Sequence, residues 1–337
     1  MTFNLAWTVV RPLFLPVIIL FMSACGPAVQ RSEPTNLVWP LPPNPPKILY
    51  VQSIYSEDDI GRAYSFKEML FGKDYRDAMS RPYGVSARQD KLYVTDLTLR
   101  SVFIFDLAAK RISILGAEGA LQVPSAVAAD ATGTVYAADV NGEKVAVYDA
   151  NGAYRTAYPV EGCKPVSLGL NDTLARLYVV DRAGHRVITL GLDGKKLFEF
   201  GAPGSADGQF NLPIGVAVDK KGFVYVLDSG NFRVQIFDAD GKFISKFGSV
   251  GDRPGMFANP KGIAVDSENH IYVTDAAFSN FQVFDNEGHI LLFVGTLGPA
   301  PGQLHLPGGI AIDEKDRIFV ADQFNKRIQV FQYLRTP

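Results

Sequence analysis

The chain has 337 residues, enough for one large domain or two ordinary ones. Its 33 Lys and Arg against 35 Asp and Glu give a net charge of −2, which leaves no basic footprint for a nucleic-acid partner. Two cysteines, Cys25 and Cys163, exclude a disulfide framework and a cysteine metal cluster, while 47% apolar content with 23 Phe and 14 Tyr suits an aromatic β core.

Residues 12–24, "PLFLPVIILFMSA", are almost wholly apolar and follow Arg11. Thirteen such residues are short for a membrane span and fit the apolar core of a secretory signal peptide. The run ends in Met22-Ser23-Ala24-Cys25, which resembles a bacterial lipobox. Small residues there admit a peptidase, and the thiol accepts the lipid. The resemblance implies cleavage after residue 24, acylation of Cys25 and a chain held at the membrane of a bacterial envelope. Gly26 follows the cysteine. By analogy with Gram-negative sorting, the lack of Asp there permits transport to the outer membrane, with the domain in the periplasm or on the cell surface.

Residues 25–46 read as the lipidated cysteine and a tether. Seven prolines fall in the 21 positions from 26 to 46. Such a segment favours the extended polyproline conformation, with a reach of roughly 65 Å at most. Residues 47–337 form the folded domain. Its first segment, "KILYVQSIY" (47–55), alternates like a strand but has no blade of its own. Residues 56–80 are an insertion, in which Ser65 and Glu68 are spaced as a capping box opening a short helix.

From Pro82 onward one unit recurs six times. Each copy begins with a proline and an alternating strand, at Pro82, Pro124, Pro165, Pro213, Pro260 and Pro307. A second strand ends in Asp, at Asp96, Asp139, Asp181, Asp228, Asp275 and Asp322, spaced by 43, 42, 47, 47 and 47 residues. A third strand ("VFIFD", "VQIFD", "FQVFD") and a turn lead to a fourth. Four short antiparallel strands per unit of about 45 residues make a propeller blade. The fold class is therefore all-β, a six-bladed β-propeller. The last unit lacks a fourth strand, so the 47–55 strand is expected to supply it and close the ring, removing exposed edges. With the linker "FGAPGSADGQFNLPIGVAVD" (200–219) and its relatives at 247–266 and 294–313, the pattern resembles NHL repeats.

The linker before each first strand and the loop after each Asp share one face, the usual ligand face of propellers. Five residues beyond the Asp stand Lys144, Arg186, Arg233 and Arg327, with Asn280 in blade five and Ser101 in blade one. Recurrence around the ring points to architecture, each Asp binding backbone or the cation of its own or a neighbouring loop. The binding-face candidates are Phe232, Arg233, Phe278, Asn280, Phe324, Arg327, Tyr83 and Lys261. The three phenylalanines fall in consecutive loops and could form an apolar anchor patch. The competing arrangement tucks each ring under a neighbouring linker, against Phe210, Phe257 or Leu304.

The resemblance also names enzymes. Amidating lyases of this repeat class place zinc-binding histidines directly after the repeat proline. The residues here are Tyr83, Ser125, Val166, Ile214, Lys261 and Gly308. The four histidines, His185, His270, His289 and His305, are scattered over separate turns and linkers, so no zinc site is expected. Six-bladed lactonases hold an axial calcium with acidic and Asn ligands. Asp219, Asp266 and Asp313 instead fall at the far ends of the first strands. No metal and no cofactor is expected. Cys163 is expected to be a buried free thiol. The sequence reads as an envelope lipoprotein whose monomeric propeller binds an envelope protein or a small ligand on its loop face. The alternative is a lyase or lactonase-like hydrolase with an unrecognised site in the central channel.

Overall fold

A computed structural model of the chain describes residues 37–62, 78–115 and 121–335. The signal segment, residues 25–36 of the tether with Cys25, and the Ser65–Glu68 capping box lie outside the described residues.

Two strands precede the repeats, β1 (Val38–Trp39) and β2 (Ile48–Ile54). Blade one comprises β3 (Pro82–Arg88), β4 (Lys91–Asp96), β5 (Ser101–Asp106) and β6 (Arg111–Leu115). Blade two comprises β7 (Pro124–Ala129), β8 (Val135–Asp139), β9 (Lys144–Tyr148) and β10 (Tyr154–Pro159). Blade three comprises β11 (Pro165–Asn171), β12 (Arg176–Asp181), β13 (Arg186–Gly191) and β14 (Lys196–Phe200). Blade four comprises β15 (Gly215–Val218), β16 (Val224–Asp228), β17 (Arg233–Phe237) and β18 (Phe243–Phe247). Blade five comprises β19 (Pro260–Val265), β20 (Ile271–Asp275), β21 (Asn280–Phe284) and β22 (Ile290–Val294). Blade six contains β23 (Pro307–Ile312), β24 (Arg317–Asp322) and β25 (Arg327–Tyr333).

Blade six takes its outer strand from the start of the domain. Its sheet order is β1-β2-β25-β24-β23, and Ile48, Tyr50 and Ile54 of β2 stand opposite Tyr333, Phe331 and Ile328. The expected closure is present, and β1 adds a fifth, short strand outside it. Closing the ring this way covers the edge of β25, which would otherwise present unpaired backbone groups.

The apolar face of each blade packs on the next, giving six core clusters, one per interface between neighbouring blades. A single blade could not bury its faces alone, so the ring shares its stability among neighbours. Aromatic pairs thicken the later interfaces, with Phe200 and Phe237 centroids 4.8 Å apart and Phe247 and Phe284 4.9 Å apart. The innermost strands converge on the axis. A Cβ on Gly262 would lie 2.8 Å from the Gly308 carbonyl oxygen, and one on Gly309 2.7 Å from that of Tyr83. Only glycine permits the inner strands of blades five, six and one to approach so closely.

Of the 56–80 insertion, the described part contains a 3-10 turn at Glu57–Ile60. Its capping box uses Ser56 and Asp59, upstream of the one read from the sequence. Ile60 and Met79 join the cluster between blades six and one.

Candidate functional site

The six aspartates that end the second strands are fully or almost fully buried, and they hold the loop face together. Each accepts N–H groups from the linker ahead of its own blade. Asp96 receives Ser80 and Arg81, Asp139 receives Gln122 and Val123, and Asp181 receives Lys164. Asp228 receives Asn211, Asp275 receives Ala258 and Asn259, and Asp322 receives His305. Burying a carboxylate is tolerable because these charge-assisted bonds replace its water.

Arg233 and Arg327 complete the arrangement and are thereby spent. Arg233 is 7% exposed; its Nε meets Asp228 at 2.9 Å and its terminal nitrogens donate to the carbonyls of Ser205, Ala206 and Gln209. Arg327 is 1% exposed and donates to Asp322, the Tyr55 hydroxyl and the carbonyls of Ala300 and Gln303. Neither guanidinium is available to a ligand. Both are corrected from binding candidates to linker clamps. Asn280 replaces the cation in blade five, where Asp275 also takes the N–H groups of Ala277 and Phe278. The half-buried Asn280 keeps a buried Oδ1 with no partner among the described residues.

A second clamp escaped the sequence reading. Gln235, Gln282 and Gln329 accept from the N–H of Gly208, Gly255 and Gly302 through Oε1. Their Nε2 groups donate to Gln209, Met256 and Gln303 carbonyls. The signal was visible: this column holds Gln only in the three blades with the long Gly-rich linker, and Phe103, Ala146 and Ile188 in the others.

The three loop phenylalanines are not equivalent. Phe232, Phe278 and Phe324 stand four, three and two residues after their Asp. The fourth position is left-handed in every blade, with φ between 48° and 55° at Arg100, Glu143, His185, Phe232, Ser279 and Lys326. Phe232 thus occupies a backbone-constrained position and packs on the cluster containing Ile214 and Phe257, as the tucked arrangement expects. Phe278 is half-buried. Phe324 is 54% exposed, its ring 5.0 Å from that of His305. Two linker residues join it as exposed apolar groups, Val250 at 65% and Leu297 at 66%. They stand in the same linker position, each bridged to the buried residue seven further on, Phe257 or Leu304.

On the axis, the loop-face mouth is a narrow space of about 80 Å³ lined by Tyr83, Ser125, Val166, Ile214 and Lys261 among others. These are five of the six residues that follow the repeat prolines. Burial pushes the Tyr83 phenol up, and burial, then the charge of Arg182, pulls the Lys261 ammonium down. The far end of the channel opens wider, to about 540 Å³. Asp219, Asp266 and Asp313 do sit there, but each is buried and caps its own turn, accepting from the second and fourth residues on. Asp172 and Glu314 stand at this rim beside Arg88, with the Arg88–Asp172 pair at 2.7 Å.

The histidines stay apart. The His185 Nδ1 lies 3.1 Å from the Phe210 carbonyl oxygen and accepts the Leu212 N–H, which places it on the loop face beside a linker. His270 pairs with Asp266, and His289 shares an exposed turn with Asp285 and Glu287. Cys163 is a buried free thiol, as expected, its pKa raised by burial and the nearby Asp181 charge.

A closed ring of six four-stranded blades, with linkers and loops gathered on one face, defines a six-bladed β-propeller. The NHL repeat model matches residues 210–237 and 257–284, within blades four and five and the linkers that lead into them. The chain is a six-bladed propeller with NHL repeats matched in blades four and five. Among solved structures it is similar to a streptogramin B lyase, at 16% identity and a TM-score of 0.57, over 76% of this chain and 94% of that one. It is similar to a gluconolactonase of Xanthomonas campestris, at 18% identity and 0.57, over 76% and 87%. It also resembles a protein of unknown function from Bacteroides thetaiotaomicron, at 16% identity and 0.62, over 85% and 75%. At these identities the likeness is one of fold.

Proposed function

We propose that this protein is a bacterial envelope lipoprotein, anchored through Cys25, whose propeller binds an envelope protein or ligand on its loop face. The observation that carries the reading is the exposed apolar set Phe324, Val250 and Leu297 on the loops and linkers of blades four to six. Apolar groups gathered on one face of a rigid ring mark an interaction surface. The Met22-Ser23-Ala24-Cys25 stretch and the proline-rich tether support the anchor. Two measurements test the parts separately. Cys25→Ser should abolish lipid labelling and release the protein into the soluble fraction; unchanged retention sinks the anchor. Combined Val250→Ser, Leu297→Ser and Phe324→Ser should abolish capture of the native partner with the melting temperature kept. Undiminished capture, or a large loss of stability, sinks the binding face.

A second reading, a hydrolase or lyase working in the channel, is favoured by one observation. The wide far mouth carries Asp172 and Glu314 beside Arg88. Turnover of a lactone or cyclic ester that Glu314→Gln and Asp172→Asn both abolish would support it over the first.

A further inference from the structure

The loop-face mouth of the axis gathers positive charge in a chain whose net charge is slightly negative. Lys261 of blade five and Tyr83 of blade one line the same narrow space. Arg182, just beyond Asp181 in blade three, is near enough to act electrostatically on both, and Arg81 acts on Tyr83. Arg81 and Arg182 are exposed and Lys261 is half-buried. Among the described residues none of the three forms an ion pair, whereas the neighbouring Arg186, Arg233 and Arg327 are all paired. The carboxylate that acts on Lys261, Asp275, is taken up by four backbone N–H groups, those of Ala258, Asn259, Ala277 and Phe278. The Tyr83 hydroxyl has no hydrogen-bond partner among the described residues. A half-buried ammonium with the like charge of Arg182 close by is unfavourable without a counter-charge. Such arrangements concentrate where a ligand supplies it.

We propose that this mouth is a site for one oxyanion, the carboxylate or phosphate of an organic ligand, held by Lys261, Arg182 and Arg81 with the Tyr83 hydroxyl as a further donor. The small volume admits a single head group. Val166 and Ile214 form the apolar side of the same space. The inference rests on the loop face being the binding face and adds the chemistry of what enters it. Bringing an anion to Lys261 relieves the depression of its pKa. Binding at alkaline pH therefore takes up a proton.

The test is calorimetric titration of the full-length chain in neutral detergent, with inorganic phosphate, benzoate and a short single-stranded oligoribonucleotide as probes. Phosphate or benzoate should saturate at one site, and Lys261→Gln or Arg182→Gln should each weaken it about tenfold. Comparing buffers of different ionisation enthalpy at alkaline pH should show proton uptake that vanishes in Lys261→Gln. Tighter benzoate would identify an organic acid as the source, and tighter phosphate a phosphate ester. No saturable binding, equal affinity in the variants, or a signal only from the oligoribonucleotide overturns the proposal. The Phe324→Ser chain separates the two readings: it should keep small-anion binding while losing partner capture.

Discussion

Replacing Arg327 with Met removes the most deeply buried guanidinium among the described residues. Its Nε is 2.8 Å from Asp322, and its terminal nitrogens reach the Tyr55 hydroxyl at 2.9 Å and the Ala300 and Gln303 carbonyls at 2.9 and 2.8 Å. Met fills much of the volume but satisfies none of these acceptors. Asp322 stays fully buried with the His305 N–H and the Asn325 and Gln329 amides, but with no positive charge. Breaking one side of such a pair costs about 3–5 kcal/mol. The same change at Arg186 gives the control. That side chain is 31% exposed, so water can replace it at Asp181, and the loss should be about 1 kcal/mol. Urea unfolding of both variants, with Asp322→Asn completing a double-mutant cycle, measures the difference. A coupling energy of about 2 kcal/mol is expected between Arg327 and Asp322. If Arg327→Met costs no more than Arg186→Met, or the coupling vanishes, the buried clamp does not hold the linker to the blade. Arg327→Lys keeps the charge but not the planar fork, and should fall between wild type and Met.

Ile54→Asp places a charge in the core between blades six and one and should open the ring, read as loss of a cooperative melt and rapid proteolysis near β2. Cys163 should resist alkylation at about pH 8 in the folded chain and react once the chain is unfolded in urea. The hydrogen bond to Asp266 raises the His270 pKa above its usual 6.5. The stability it contributes is complete below the unfolded value and fades as pH rises through the folded one. His270→Gln should therefore lower the melting temperature clearly at about pH 5.5 and much less at about pH 9. Phe324→Ser should leave the melting temperature almost unchanged, whereas Phe232→Ser, against Phe257 and Ile214, should lower it.

The ring was legible because its cause is local and repeated. Six proline-led strands and six terminal aspartates at near-constant spacing leave one way to satisfy edges and bury faces, and the unpartnered 47–55 strand had one vacancy to fill. The Asp columns could likewise be read as architecture, since a residue that recurs in every blade serves what every blade does. Side-chain direction was not legible. Phe232, Phe278 and Phe324 look alike as loop aromatics, but a shift of one position in the turn changes the backbone conformation that carries each ring. Sequence alone therefore determined the fold and its closure, since these follow from periodicity along the chain. Only the tertiary structure decided that Arg233 and Arg327 are consumed by linkers, that Phe324 faces solvent, and that Tyr83 and Lys261 line one space at the axis. Those outcomes depend on contacts between blades and linkers far apart in the chain, which no single repeat encodes.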